Sequence, residues 1–335
     1  MQKKNILFVY VNFSSFVKAD YEILSTFAHV TKYQFKPGKG IINTGLKLLN
    51  QFSYLLLHIW RFDAVFIWFS DYHSLLPILF SKFGRKRSYL VIGGYEVARI
   101  KSLNYGALCS PIRGYFCIRS IQLASLCLTV SNYVDRKVKS IAPDAKRILV
   151  HNCVDLNQIS APIPSKENLI LTVGIVENKR TFYLKGFDIF IEVARILPDY
   201  HFIIIGMDKS KVSDLLTNIP DNLTIIGRVP HEELPSFYLR SRYYCQLSLI
   251  ESFGVSVAEA MYHGCIPVVT NEGGLPEVVG KAGFIVKRDP QYIGQVINAI
   301  SKSGSGMSHD ISGRITSSFS REKRSQKIRY VVLGH

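Results

Sequence analysis

Short, almost fully apolar runs alternate along this chain with stretches whose apolar side chains return every three or four residues. The first half offers Ile6–Val11, Val30–Phe35, Ala64–Phe69, Tyr89–Ile92, Leu126–Val130 and Ile148–Val150 as strands. Between the second and third, Leu49, Phe52, Leu56 and Ile59 fall on one helical face. A second series predicts strands at Leu169–Val173, Phe202–Ile205, Leu223–Ile226, Tyr243–Leu247, Ile266–Val269 and Phe284–Val286. Its helices are expected at Phe187–Leu197, Val212–Thr217, Glu232–Ser241, Val255–His263 and Tyr292–Ile300. Apolar strands alternating with helical segments imply parallel sheets flanked by helices. Ala161–Asn168, with Pro162 and Pro164 among polar residues, reads as an interdomain linker. The Gly/Ser-rich stretch Ser301–Gly306 is expected to be mobile. The fold class is therefore α/β: two doubly wound, Rossmann-like halves facing across a cleft, with ligands at the carboxyl ends of the strands.

Composition narrows the setting. A chain of 335 residues, 47% hydrophobic and without low-complexity blocks, suits two folded domains. Met1–Asn5 leads straight into a strand-like run, and the most apolar region, Leu48–Ser70, is broken by His58, Arg61 and Asp63. Neither reads as a secretory leader or a membrane span. The six cysteines form no CxxC pair and read as reduced, buried small residues of a cytoplasmic protein.

Charge is unevenly spread. Residues 1–160 carry 21 Lys/Arg against 8 Asp/Glu, whereas residues 161–335 carry 20 against 17. A net of +13 in the first half implies a polyanionic neighbour: an anionic membrane surface, a pyrophosphate-linked acceptor or nucleic acid. Its densest clusters, Arg85-Lys86-Arg87 and Arg136-Lys137-x-Lys139, lack the interleaved aromatics of a single-strand platform, so nucleic acid is not expected. An anionic membrane surface, met peripherally on the inner face, is the expected partner.

The most specific chemistry lies between Glu251 and Glu277. Two carboxylates, Glu251 and Glu259, stand eight residues apart around Phe253-Gly254-Val255. Val257, Ala260 and Met261 share a helical face from which Glu259 points away, and Gly264 closes the helix. Gly254 opens backbone access where unpaired amides and the positive end of the helix dipole emerge, which is a seat for phosphate. Each carboxylate can accept from two adjacent hydroxyls, such as those of a sugar or a ribose. A nucleotide sugar has both, with a diphosphate between them.

This segment, with the following Ile266–Thr270 strand and the Gly273-Gly274-x-Pro276-Glu277 turn, resembles the signature of retaining glycosyltransferases of the GT-B fold, family 4, the group 1 transferases. The resemblance implies an acceptor-side domain over residues 1–160 and a nucleotide-sugar domain over 161–318. It also implies a terminal helix over 319–335, beginning around Phe319–Arg324, that returns toward the first domain. Glu251 would hold the transferred sugar, and Glu259 the nucleotide ribose. Lys185 and Arg180 would clamp the diphosphate as negative charge builds on it. The family usually places its Arg directly after the strand's glycine, where this chain has Ile175. The role passes to Arg180 on a longer loop, with Lys179 as its reserve. Arg228 and Val229, after Gly227, would line the base, while Gly273, Gly274 and Pro276 shape the donor loop. The glycine-rich turn usual after the first strand is replaced by Asn12–Ser15. Gly94 and Tyr95, after Gly93, are placed at the site. His73 is a candidate to face it, and Glu96 is given no catalytic role.

The expected activity is transfer of a hexose-type sugar from a nucleoside-diphosphate sugar to a glycan or lipid-linked saccharide at the cytoplasmic membrane face, as in cell-surface polysaccharide synthesis. No cofactor or metal is expected, since no Asp-x-Asp or His/carboxylate set stands at a strand end. A Rossmann oxidoreductase would need a Gly-x-Gly-x-x-Gly turn after an early strand, and Ile6–Ser15 contains no glycine. A nucleic-acid binder would leave the Glu251–Glu259 constellation unexplained. A catalytically degenerate relative that only binds a nucleotide or partner is the remaining alternative.

Overall fold

The computed structural model describes residues 3–38, 40–155, 165–289, 291–302 and 310–334. Residues 161–164 of the linker and 303–306 of the Gly/Ser-rich stretch singled out above lie outside these. The chain forms two compact units, Met1–Asn152 with Arg321–His335, and Cys153–Ser320.

In the first unit the strands are β1 (Lys4–Tyr10), β2 (Ala28–Gln34), β3 (Ala64–Trp68), β4 (Arg87–Ile92), β5 (Leu126–Thr129) and β6 (Arg147–Leu149). They form one sheet in the order β2-β1-β3-β4-β5-β6, and every pair is parallel. Ile6 to Val9 and Val65 to Trp68 are wholly buried, as expected of central strands covered on both faces. Between the strands run α1 (Ser15–Ser25), α2 (Ile41–His58), α3 (Tyr72–Phe83), α4 (Pro111–Leu123) and α5 (Asn132–Ile141). Asp71 and Ser74 close a capping box on α3, and Ser131 caps α5 through the Val134 amide.

The second unit repeats the plan with β7 (Glu167–Val176), β8 (His201–Met207), β9 (Leu223–Ile226), β10 (Ser241–Gln246), β11 (Ile266–Thr270) and β12 (Phe284–Val286). Their order is β12-β11-β10-β7-β8-β9, again all parallel. The helices are α6 (Lys179–Lys185), α7 (Phe187–Ile196), α8 (Leu234–Arg240), α9 (Val255–Tyr262), α10 (Leu275–Val279), α11 (Tyr292–Lys302) and α12 (Ile311–Phe319). Phe187, Phe190, Phe202 and Tyr243 centre its core, and the Tyr243 hydroxyl donates to the Ile300 carbonyl at 2.9 Å. Val154 and Ser320 pair as a parallel bridge, so this unit begins and ends at one point.

The last helix, α13 (Arg321–Leu333), belongs to the first unit and packs on α1. Its anchor is Arg324, 3% exposed, whose Nε and Nη2 reach the two oxygens of the wholly buried Asp20 at 2.6 and 2.7 Å. The Arg324 Nη1 donates to the carbonyls of Val150 and His151, and Trp68 Nε1 donates to Asp20 at 3.0 Å. Every charge in this buried cluster is therefore paired and hydrogen-bonded.

Two sequence expectations need correction. Glu167 and Asn168, read as the end of the linker, open β7 instead, and Lys166 is held by the Tyr238 and His263 carbonyls at 2.9 and 2.7 Å. No α-helix forms over Val212–Thr217, only single 3-10 turns at Lys209–Lys211 and Ser213–Leu215. There the Asp208 carboxylate takes the Ser210 amide and hydroxyl, a local bond that competes with helix growth. The apolar face expected on α2 is present and turns mostly outward. Leu49, Phe52 and Leu56 are 64%, 44% and 51% exposed, while Gln51, Leu55 and Ile59 form the buried side. An apolar stripe at helical spacing locates a face but does not say whether that face turns inward.

Candidate active site

The site grows from the end of β10. Its chain leaves the sheet through Leu247–Ile250, reaches Glu251, and turns at Gly254 into α9. Gly254 has φ +95°, and a Cβ there would meet Leu275 Cδ2 at 2.8 Å. A side chain would be strained by conformation and by contact together. With no side-chain cap on α9, the amides of Val255, Ser256 and Val257 end the helix without helical acceptors.

Two neighbours fix the Glu251 loop. Gly273 has φ +68°, and a Cβ on it would lie 1.8 Å from the Glu251 carbonyl oxygen. The next amide, Gly274, donates to that same oxygen at 2.7 Å. On the other side, the turn at Gly186 packs so closely that a Cβ would lie 2.0 Å from the Leu247 carbonyl oxygen, and Leu249 N donates to Leu184 O at 2.8 Å. The glycines of the sequence motif thus let three backbone segments touch. By this contact the end of α6 delivers Lys185, whose Nζ lies 2.7 Å from Glu251 Oε2. Both side chains remain partly open to solvent.

Glu259, one turn into α9, is engaged at both oxygens. His231 Nε2 lies 2.9 Å from Oε1, and the Tyr238 hydroxyl donates to Oε2 at 3.1 Å. The hydrogen bond to Glu259 raises the His231 pKa above its ordinary 6.5, against a smaller opposing effect of burial. Burial first, then the Glu259 charge, drives the Tyr238 hydroxyl well above its usual range, so it stays a donor. The loop after β9 carries exposed Arg228 and half-buried Val229 and brings His231 onto Glu259.

The remaining expected residues divide. Phe253 is 1% exposed, with its ring edge-on to Phe319 at 5.2 Å, so its side chain packs the core and only its backbone borders the loop. Val255 is half-buried at the start of α9. Arg180 is exposed in the first turn of α6, about 140° around that helix from Lys185. Lys179 pairs with Asp214.

At the strand ends of the first unit, Glu96 is a brace. Its buried carboxylate accepts from the amides of Ser70, Gly93 and Gly94 at 3.2, 3.0 and 2.6 Å. Burial nonetheless raises its pKa. Gly94 has φ +118°. The Tyr95 ring lies under the Arg113 guanidinium, 4.8 Å from centroid to Cζ, and its hydroxyl accepts from Arg113 Nη1 at 3.1 Å. Arg113 in turn pairs with Asp71. His73 is 1% exposed, bonded through Nε2 to the Trp68 carbonyl, with its pKa lowered by burial. It is a buried histidine in the first turn of α3, the helix-start alternative to a residue facing the site.

His231, Tyr238 and Arg113 were missed. Tyr238 lies on the predicted Glu232–Ser241 helix and His231 three residues past Arg228, but only the fold shows that both meet Glu259. Among the described residues no cluster of three His, Cys, Asp or Glu is arranged to hold a metal ion.

The two parallel six-stranded sheets with their helices are those of the GT-B glycosyltransferases. Sucrose-phosphate synthase from Thermosynechococcus elongatus superposes with a TM-score of 0.80 over 99% of each chain at 13% identity. Anabaena HepE, solved with UDP-glucose, gives 0.78 over 99% of this chain and 100% of that one at 14% identity. Residues 155–314, which lie within the second unit, match the sequence model of the family described as "Glycosyl transferases group 1". The gpi3 subunit of phosphatidylinositol N-acetylglucosaminyltransferase from Schizosaccharomyces pombe is 34% identical over 128 residues, 35% of this chain. That match spans only 27% of the relative's own length.

Proposed function

We propose that the chain is a retaining glycosyltransferase of family 4 that moves a hexose-type sugar from a nucleoside-diphosphate sugar to a glycan or lipid-linked saccharide at the cytoplasmic membrane face. The observation that carries this reading is the Lys185–Glu251 pair at 2.7 Å, held beside the uncapped start of α9 with Glu259 one turn further on. In this reading the diphosphate sits on the first amides of α9 and on Lys185, with Arg180 reaching in from α6. Glu251 takes hydroxyls of the transferred sugar, and Glu259 takes the ribose diol in place of His231. Arg228 and Val229 line the base.

The bond from the anomeric carbon to the phosphate oxygen breaks while a bond to the acceptor oxygen forms on the same face. The acceptor's proton passes to the leaving diphosphate, so no separate general base is required. Lys185, Arg180 and the helix amides oppose the charge that builds on the leaving group, and no metal or other cofactor is assigned. The first unit takes the acceptor, with Gly94 and Tyr95 at its strand ends. HepE, solved with UDP-glucose, supports the donor class, and the fission-yeast relative, named for phosphatidylinositol, supports a lipid-borne acceptor.

A panel of nucleotide sugars tests this reading by thermal stabilisation, followed by donor turnover with and without saccharide acceptors. Stabilisation by one nucleoside diphosphate, and product with retained anomeric configuration by NMR, is expected. Stabilisation without turnover of any donor would favour a degenerate binder, and no stabilisation at all would end the proposal.

A further inference from the structure

Helix α2 is apolar on the wrong side for a core helix. Ile42, Leu46, Leu49, Leu56, Leu57 and Trp60, the last just past its end, are 81%, 57%, 64%, 51%, 69% and 58% exposed. At 3.6 residues per turn they fall within an arc of roughly 100°. Gln51 and Leu55, on the opposite side, are 0% and 1% exposed and face the unit's interior. The patch extends onto the neighbouring α3, whose Phe80 contacts Phe52 edge-on and whose last residue, Phe83, is 86% exposed. An exposed apolar stripe of this length, interrupted at exposed Ser53, marks an interaction face on a folded surface. No described helix is long and apolar enough to cross a membrane.

The charge around the stripe selects the occupant. Ile23 to Phe62 contains no carboxylate and carries Lys32, Lys36, Lys39, Lys47 and Arg61. Tyr72 to Tyr95 again has none and carries Lys82, Arg85, Lys86 and Arg87. Counted by structural unit the polarity sharpens. The first unit holds 26 Lys/Arg against 8 Asp/Glu, a net of +18, and the second 15 against 17, a net of −2. A second copy seated on the same patch would set like charges face to face. A surface that is apolar within and anionic at its boundary meets both features at once. Lysine and arginine stems flanking the stripe can lie along the apolar layer with their heads at phosphate depth.

We propose that the outward face of α2, together with Phe83 at the end of α3, seats on an anionic lipid bilayer with the helix lying in the membrane plane. The basic residues do not all serve this contact. Lys86 donates to the Trp60 and Phe62 carbonyls and ties the end of α3 to the turn after α2, whereas Arg85 and Arg87 are exposed. The docking face rests on no assumption about donor chemistry.

The test is co-sedimentation of the full chain with phosphatidylcholine vesicles, with and without phosphatidylglycerol, at low and high salt. Binding should require phosphatidylglycerol and weaken with salt. The Leu49→Ser/Leu56→Ser/Trp60→Ser variant should bind on the order of tenfold more weakly or worse, because apolar burial is lost. Its melting temperature should stay near wild type, since those side chains are already exposed. Arg85→Ala/Arg87→Ala should weaken binding and flatten its salt dependence. Donor stabilisation should survive in both variants, so failure here is separable from failure of the transferase reading. Wild-type vesicle binding by the triple variant, or binding indifferent to lipid charge, overturns the proposal. So does a dimer in sedimentation velocity that the triple variant abolishes while vesicles bind nothing.

Discussion

Lys185 Nζ lies 2.7 Å from Glu251 Oε2, so the side chain suited to a diphosphate and the one suited to a sugar hydroxyl neutralise each other. A donor that engages both must divide them, and the two halves of that exchange have different kinetic consequences. Glu251→Ala should chiefly lower turnover and blur preference among donor sugars, whereas Glu259→Ala should weaken nucleotide binding. Each loss of a charged hydrogen-bond partner should cost about 1.5–3 kcal/mol. Calorimetric titration of nucleoside diphosphate and steady-state rates check this, and equal, negligible effects of both changes would sink the assignment.

Lys185→Ala should reduce the transfer rate by more than it reduces donor affinity, because leaving-group charge grows toward the transition state. It also leaves Glu251 without its cation. Arg180→Ala should act in the same direction if the exposed guanidinium folds onto the diphosphate. Single-turnover rates against donor affinity decide this. A silent Arg180→Ala beside a damaging Lys179→Ala would move the role to the reserve residue, which must first leave Asp214.

Under the proposed ribose role of Glu259, His231 should make nucleotide affinity depend on pH. Its hydrogen bond to Glu259 raises its pKa above 6.5, so the imidazolium persists to higher pH than a free histidine. Below that raised value the charged ring holds Glu259 most firmly and competes with a ribose diol. Affinity should therefore rise as pH increases through it. The stability term runs the other way: it is fully present below about 6.5 and fades as pH passes the folded-state pKa. Nucleotide titrations across the neutral range should show the trend in wild type and a flattened one in His231→Ala. An identical profile in both proteins would exclude the competition.

Gly273→Ala should damage the site from outside it. The new Cβ would adopt φ +68° and lie 1.8 Å from the Glu251 carbonyl oxygen, so the loop carrying Glu251 must shift. A strained backbone of this kind costs about 1–3 kcal/mol, and turnover should fall together with melting temperature. Gly227→Ala is the control, since nothing lies within 4 Å of its added Cβ. Equal behaviour of the two variants would show that the glycine brace is unimportant.

Much of this was legible in the residues. All twelve strands overlap the apolar runs; the central ones, covered on both faces, have no polar alternation to confuse them, whereas edge strands such as β2 are largely exposed. The Glu251–Glu259 spacing and its glycines foretold a loop entering a helix. What could not be read were relations across the fold. Nothing local shows that His231 and Tyr238 share Glu259, that Phe253 packs on Phe319, or that His73 is sealed beneath Phe35 and Trp68. The α2 stripe was visible as a pattern, but periodicity is symmetric with respect to inside and outside. Arg324 gave no signal either, since an arginine in a run of charged residues reads as solvated.

Because α13 completes the first unit, the second unit sits within it as an insertion whose two ends meet at Val154 and Ser320. On the ribosome this order matters. The second unit has its whole sequence available first, while the first unit waits for Arg324 to reach Asp20. Until then Asp20 lacks its cation, and a chain ending before residue 321 carries a complete second unit and an incomplete first one. Completion of the basic first unit therefore depends on α13, which is made after the whole of the second unit.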